Sequence, residues 1–499
     1  MLLRSFFFAV IVTSCVLRFV ALDTAPPGFF SDEARSGAHA LCLGQTGQDA
    51  AGLSWPAYSP AGSDVEHATV GALYASPWTF PLALWLRLAG SSPYAVRAAS
   101  AAFGVGSIAL MVLLMWRLFD LTIGLGAGVV LACMPIHFQL SRLAWDNTTV
   151  PFYLLLGMLG LVLASQSTAT TRRGVWIGMA ALGFALAAIV YPSQRLQVLG
   201  AFPFMVWQQQ RGDRPLPRAA LLGLGAAFSL FCLPLLHGLW SGFLLERMDA
   251  TSIFAASWLR QWAGPRLGTV FDDSALYRGW TAVLAFAHNL FAHLDPRFLW
   301  FSGDKELRHS SQLVGELGPL EALALAAFCV RKFRSGAAHE VADTTLSSIA
   351  RLQSSCIVGV VLGIVPSALT RDAPHALRMY GAVPFIAIWV TLELWRSWRA
   401  LQPRWRTAAF VASAAALIGV QACFLHAYFT RYPQMARSRF EPAMSEQAQR
   451  TVSTGNWRGF VQSGRTSSER IQRGYFAMAM GHVPCGVVRD WSVVAASKR

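Results

Sequence analysis

Charge is scarce in this chain. Asp, Glu, Lys and Arg make up 13% of its 499 residues, against roughly 25% in a soluble domain. That shortage excludes a water-facing surface over the whole molecule. No Cys-x-x-Cys pair and no His/Cys zinc spacing occurs, which excludes the common structural zinc modules. No half of the chain duplicates the other, as the inverted repeats of many transporters would require. Acids are the scarcer sign, 26 against 41 basic residues, for a net charge of +15. A basic balance can serve nucleic acid. Here the arginines sit in short loops between apolar runs, the placement of cytoplasmic anchors, and no nucleic-acid partner is expected.

What is abundant is apolar sequence. Hydrophobic residues reach 54% and the mean hydropathy is +0.43. They fall into runs near the length that crosses a bilayer as a helix. The expected fold is an all-α polytopic membrane protein with about eleven transmembrane helices. The expected crossings lie near 2–22, 98–116, 121–140, 149–164, 175–190, 196–207, 219–239, 317–330, 354–369, 380–395 and 407–428. The first reads as an uncleaved helix with its N-terminus inside, because no small-x-small cleavage site follows it. The segment 70–89 is apolar but broken by Pro77 and Pro81, and is expected to lie in the interface. Held out of the membrane, it leaves four clusters on one face: Arg172 and Arg173; Arg211, Arg214 and Arg218; Arg331, Lys332 and Arg334; and Arg396, Arg399, Arg404 and Arg406. That is the positive-inside pattern. The organisation expected is a membrane domain over 1–430, with a first outer loop at 23–97 and a large outer loop at 240–316, followed by an outer tail at 431–499.

The same threading collects five polar stretches on the other face: 26–34 (PPGFFSDEA), 141–149 (SRLAWDNTT), 191–195 (YPSQR), 303–311 (GDKELRHSS) and 370–378 (TRDAPHALR). Ionisable residues beside a bilayer are costly and tend to be functional. Asp32, Glu33 and Asp146 supply carboxylates. A carboxylate there can act as general base towards a hydroxyl or hold a divalent cation. Arg195, Lys305, Arg308, His309, His375 and Arg378 supply bases suited to a phosphate or diphosphate. Acid plus phosphate clamp points to group transfer from a phosphorylated lipid carrier. Plainer roles stand beside these. Asp32 can cap a helix beginning at Glu33. Asp146 can pair with Arg142 four residues before it. His375 and Arg378 can anchor the interface. Six of the eight cysteines lie in apolar runs as packing residues; Cys42 and Cys485 fall in outer polar segments, where a disulfide is permitted.

The acid pair after the first helix, the Arg-x-x-x-Asp loop (Arg142 to Asp146) and the stretches SPYAVRAASAAFG (92–104), DPRFLWFSGDKELRHS (295–310) and PHALRMYGAVP (374–384) resemble one family. It is the GT-C superfamily of polytopic glycosyltransferases, and within it the bacterial family 39 members, relatives of protein O-mannosyltransferases and the lipid A aminoarabinose transferase. The resemblance implies interfacial helices in the first outer loop. It implies transfer of a sugar from a polyprenyl-phosphate carrier, with inversion, to a lipid, glycan or protein acceptor. It would place the protein in the bacterial inner membrane with its site facing the exterior. Asp32 would match the family's first-loop acid and Asp146 its second. One motif departs: relatives carry a base before a Pro-Pro pair where this chain reads Tyr74-Ala75-Ser76-Pro77-Trp78. Arg195, Arg308 and Arg378 are available in its place. Two other readings share the outer-face chemistry: an O-antigen ligase or polymerase using a diphosphate-linked glycan, and a transporter of lipid-linked substrates.

Overall fold

A computed structural model describes residues 2–60, 73–240, 251–267, 274–334, 344–465, 467–480 and 485. Parts of the expected first outer loop (61–72), of the large outer loop (241–250 and 268–273) and of the tail lie outside the described residues. The chain is a polytopic membrane protein of the all-α class, with almost no strand among the described residues. Each expected crossing coincides with helix: α1 (Leu2–Leu17), α4 (Pro93–Leu118), α5 (Leu121–Cys133) with α6 (Pro135–Leu140), α7 (Val150–Gln166), α8 (Thr170–Val190), α9 (Pro192–Gln210), α10 (Arg218–Phe231) with α11 (Leu233–Trp240), and later helices at Pro319–Arg334, Thr344–Ala368, Val383–Ala400 and Pro403–Thr430. Among the described residues, five helices are long and apolar enough to cross a membrane, and three shorter apolar ones accompany them.

Local chemistry sets the boundaries. Ser92 caps α4 through Ala95 N and is followed by Pro93, the favoured helix-opening pair. Asp120 caps α5 through the N–H groups of Thr122 and Ile123. Pro135 follows Met134, which is extended, and splits the expected 121–140 crossing into two helices, because a proline disfavours helical backbone in the residue before it. Helix α1 stops at Leu17 rather than near 22. Beyond it the guanidinium of Arg142 donates to the carbonyls of Leu17, Arg18, Val20 and Ala25 at 2.8–3.0 Å and holds the chain in a tight descent. Arg142 is thus engaged by carbonyls rather than by Asp146, the plainer alternative for that acid. Helices α7 and α8 pack closely: a Cβ on Gly183 would strike the backbone of Gly157, and one on Gly160 the backbone of Ala180. Small residues permit this approach, as at interfaces between membrane helices.

The segment expected at the interface is the helix α3 (Ser76–Ala89), fourteen residues long, or about 21 Å at 1.5 Å per residue. That falls short of a hydrocarbon core of about 30 Å. It packs on α2 (Ser31–Thr46), the helix of the acid pair. Trp78 is fully buried between them and donates Nε1–H to Ser36 Oγ at 2.5 Å. A short antiparallel pair, β1 (Tyr58–Pro60) with β2 (Leu73–Ala75), leads into α3.

The large outer loop is not merely a connector. Helices Ala256–Leu267 and Ala275–Ala292 stand in it, around their own core of Ile253, Leu259, Trp262, Ala263, Ala282 and Ala285. The tail is helical too, at Pro442–Ser453, Trp457–Gln462 and Ser467–Ala479. The last of these packs on α2, and Cys42 is joined to Cys485 by a disulfide with Cα atoms 5.4 Å apart.

The two ends of the bundle differ chemically. At one end Arg4 donates to Thr122, Arg331 pairs with Glu393 and Arg396 donates to Gln353. The polar stretches gather at the other.

Candidate active site

The site is built on two helix starts. Helix α2 begins at Ser31, with Asp32 and Glu33 in its first turn, where the macrodipole favours acids. Glu33, not Asp32, closes the cap by accepting Phe30 N–H at 3.1 Å. Helix α4 brings Arg97. Its Nε and Nη2 meet the two oxygens of Glu33 at 2.8 and 2.7 Å, and its Nη1 donates to the carbonyls of Leu22 and Pro26. Both side chains are fully buried. Glu33 also accepts Ala144 N–H at 3.0 Å. All of this binds Glu33 into the architecture and leaves the more exposed Asp32 as the acid that faces solvent: its side chain is 38% exposed and lies 4.0 Å from Arg35.

Outward from this pair, the five stretches join in series. Phe30 meets Trp145 edge-on at 6.1 Å. Trp145 stands 5.4 Å from the His309 ring, and His309 lies 4.3 Å from the His375 ring. Asn147, next to Asp146, donates its amide to Leu377 O. Gln194 reaches Arg378 O at 3.5 Å. The loop containing residues 303–311 is fixed to its neighbours: Asp304 accepts Ala376 N–H at 2.8 Å, and its own N–H donates to Glu316 at 2.8 Å.

The basic residues take different places. Arg308 lies over the Phe30 ring at 4.1 Å and donates to Glu306 at 3.0 Å. Arg378 donates to Thr370 Oγ1 and lies 3.6 Å from Asp372, an exposed acid. Arg195 is half-buried and hydrogen-bonds Tyr58, whose hydroxyl is pushed up to about 12 by burial. Lys305 is exposed. Asp146 opens a 3₁₀ turn ahead of α7 and accepts Asn147 N–H at 2.7 Å.

Several residues at this site escaped the sequence reading. The tail supplies Arg439, 3.9 Å from Glu306, and Tyr432, which accepts from Gln139 and donates to Leu307 O at 2.7 Å. It also supplies Glu441. Burial raises the Glu441 carboxyl above its usual range; Arg35 works against that rise, and Asp32 adds to it. Asp32 and Glu441 therefore face the same guanidinium. Glu316 lies beneath the loop and is pushed up to about 8, first by burial and then by Asp304. No spacing in the sequence signals the tail partners, because Arg439 and Glu441 lie more than a hundred residues from Glu306 and Asp32.

Residues 76–237 match a protein family described as dolichyl-phosphate-mannose-protein mannosyltransferase. No curated protein matches the chain. Among solved structures, an oligosaccharyltransferase from Archaeoglobus fulgidus in the apo form is similar at a TM-score of 0.48 and 12% identity, over 96% of this chain and 60% of that one. ArnT from Cupriavidus metallidurans bound to undecaprenyl phosphate is similar at a TM-score of 0.45 and 12% identity, over 98% of this chain and 78% of that one. The chain thus spans about 60% of the length of the archaeal enzyme. The family match runs from the start of α3 into α11 and takes in Asp146 and Arg195, and over that third of the chain the GT-C glycosyltransferase resemblance read from the sequence is borne out.

Proposed function

We propose that this protein is a membrane glycosyltransferase that moves a sugar from a polyprenyl-phosphate carrier to a hydroxyl acceptor on the non-cytoplasmic face. The observation that carries this reading is that the start of α2, which bears Asp32, meets the Arg308, His309, His375 and Arg378 stretches through Phe30 and Trp145 at one end of an apolar bundle. The Cys42–Cys485 disulfide at that end supports an oxidising, outer compartment. The arginine clusters at the opposite end support a cytoplasmic placement there, with the N-terminus inside and a bacterial plasma membrane as host.

In this reading Asp32 takes the proton from the acceptor hydroxyl. The freed oxygen attacks the anomeric carbon from the face opposite the carrier, with inversion. The bond from that carbon to the phosphate oxygen breaks, and the lipid phosphate leaves. Arg195, Lys305, Arg308 and Arg378 stabilise the departing charge. Asp146 orients the acceptor, and Glu33 holds Arg97 rather than reacting. Donor phosphate count separates this reading from a ligase using a diphosphate-linked glycan. The absence of duplicated halves in the sequence weighs against a transporter.

The test is Asp32→Asn, assayed in detergent with lipid-phosphate sugar. Transfer falls by 10²-fold or more, as loss of a general base does, while the protein elutes as a folded species. Activity within threefold of the parent sinks the assignment of Asp32 as base.

A further inference from the structure

We propose that Asp304, His309 and His375 form a binding site for one divalent transition-metal ion, with zinc the best match. One ligand atom from each residue lies within 4.8 Å of the other two. The residues come from two loops, one between the large outer loop's helices and Pro319–Arg334, the other after Thr344–Ala368. The Oδ2 of Asp304 is 3.3 Å from Nδ1 of His309 and 3.9 Å from Nδ1 of His375. Ligand atoms around a tetrahedral zinc with bonds of about 2.0–2.1 Å stand about 3.3 Å apart; Asp304 and His309 already have that spacing, and His375 must move inwards to match it. Two imidazoles and a carboxylate form a borderline donor set that suits zinc over magnesium or calcium.

A second observation points to a ligand. His309 Nδ1 is buried and makes no aligned hydrogen bond, although Asp304 is close. The His309 and His375 rings pack at 4.3 Å, close enough for both to reach one ion. The surroundings are those of an oriented site. Asp304 is fixed by the N–H groups of Glu306 and Ala376. His375 is positioned through its backbone N–H on His293 Nε2 at 3.2 Å. Trp145 covers one side. His375 Nδ1 takes a long contact from Arg378 N at 3.4 Å, which a metal bond would replace. Three protein ligands leave a fourth position for water or a substrate oxygen.

Metal content is read without any transfer assay, so the outcome is independent of the glycosyltransferase reading. The full chain is purified in detergent, equilibrated with micromolar zinc, desalted and analysed by mass spectrometry of the metal. One zinc per chain is expected in the parent and in His288→Gln, a histidine outside the cluster. Occupancy in the His309→Gln/His375→Gln double variant is expected to fall at least tenfold. A parent without zinc, or a double variant that keeps it, overturns the proposal. Cobalt loading of the parent needs no variant. A four- or five-coordinate ligand-field spectrum supports the site, and a six-coordinate aquo-like spectrum overturns it.

Discussion

The pair formed by Glu33 and Arg97 allows architecture and chemistry to be separated by measurement. Both side chains are fully buried, and two parallel hydrogen bonds of 2.8 and 2.7 Å join them. Arg97 holds two further carbonyls and Glu33 two N–H groups, so six contacts tie together the chain after α1, the start of α2, α4 and the loop before Asp146. Replacing Arg97 with Met leaves a buried carboxylate without its partner. Such losses cost about 3–5 kcal/mol, a large share of the 5–15 kcal/mol typical of a folded domain. Glu33→Gln keeps the shape and one acceptor, so its cost falls at the low end of that range. The Glu33→Leu/Arg97→Met double variant removes both charges and is expected to recover part of the loss, giving a coupling of at least about 1 kcal/mol in a double-mutant cycle. The assay is the fraction of protein remaining monodisperse after graded heating in detergent, with transfer activity measured in parallel. Glu33→Gln that retains the parent's thermal stability while losing all transfer would refute the reasoning, and would return Glu33 to the chemistry.

Arg378→Ala should raise the donor KM more than tenfold and leave the acceptor KM within twofold, measured by initial rates; equal changes would make Arg378 an anchor for its own loop. The raised Glu441 carboxyl has a definite sign. The fold favours its protonated form, so its contribution is complete below about 4.5, the ordinary value of a glutamate, and is lost as pH rises through the folded value. Exchange protection across the helix Pro442–Ser453, corrected for the intrinsic rate at each pH, should therefore fall as pH climbs above about 4.5 in the parent, and Glu441→Gln should flatten that trend; an identical slope in both would remove Glu441 as its source. Cys42→Ser should weaken tail docking by about 2–4 kcal/mol and speed tryptic cleavage within Ser467–Ala479. Unchanged cleavage would show that packing alone secures the tail.

Periodicity and hydropathy were enough for the helices, because a bilayer demands long apolar runs and arginine selects the side. Hydropathy alone left α3 undecided, since Pro77 and Pro81 break its run; the arginine clusters, which must share one face, held it out of the membrane. The stops were harder. Leu17 ends α1 through Arg142, a residue 125 positions away, and nothing near Leu17 announces it. The five polar stretches were legible as a set and do meet in the structure. Division of labour among them was not: Asp32 and Glu33 are adjacent in sequence and look alike. Only Arg97 and the N–H groups of Phe30 and Ala144 distinguish the buried acid from the exposed one. Tail residues such as Glu441 and Tyr432 were missed because an amphipathic polar helix carries no mark of where it docks. The two helices inside the large outer loop were not read, because aromatic residues scattered among polar ones give no clean helical stripe.

The docking of the tail on α2 has a consequence for biogenesis. The acid-bearing turn is synthesised early, yet its neighbours Phe440 and Pro442 press against Gly28, whose positive φ and missing side chain permit that contact, and Ser467–Ala479 lies along α2. A nascent chain halted after Pro403–Thr430 would already sit in the membrane with every apolar helix inserted, but with its outer cleft unroofed. The cleft would then be covered only once the helices made after Thr430 have docked on α2.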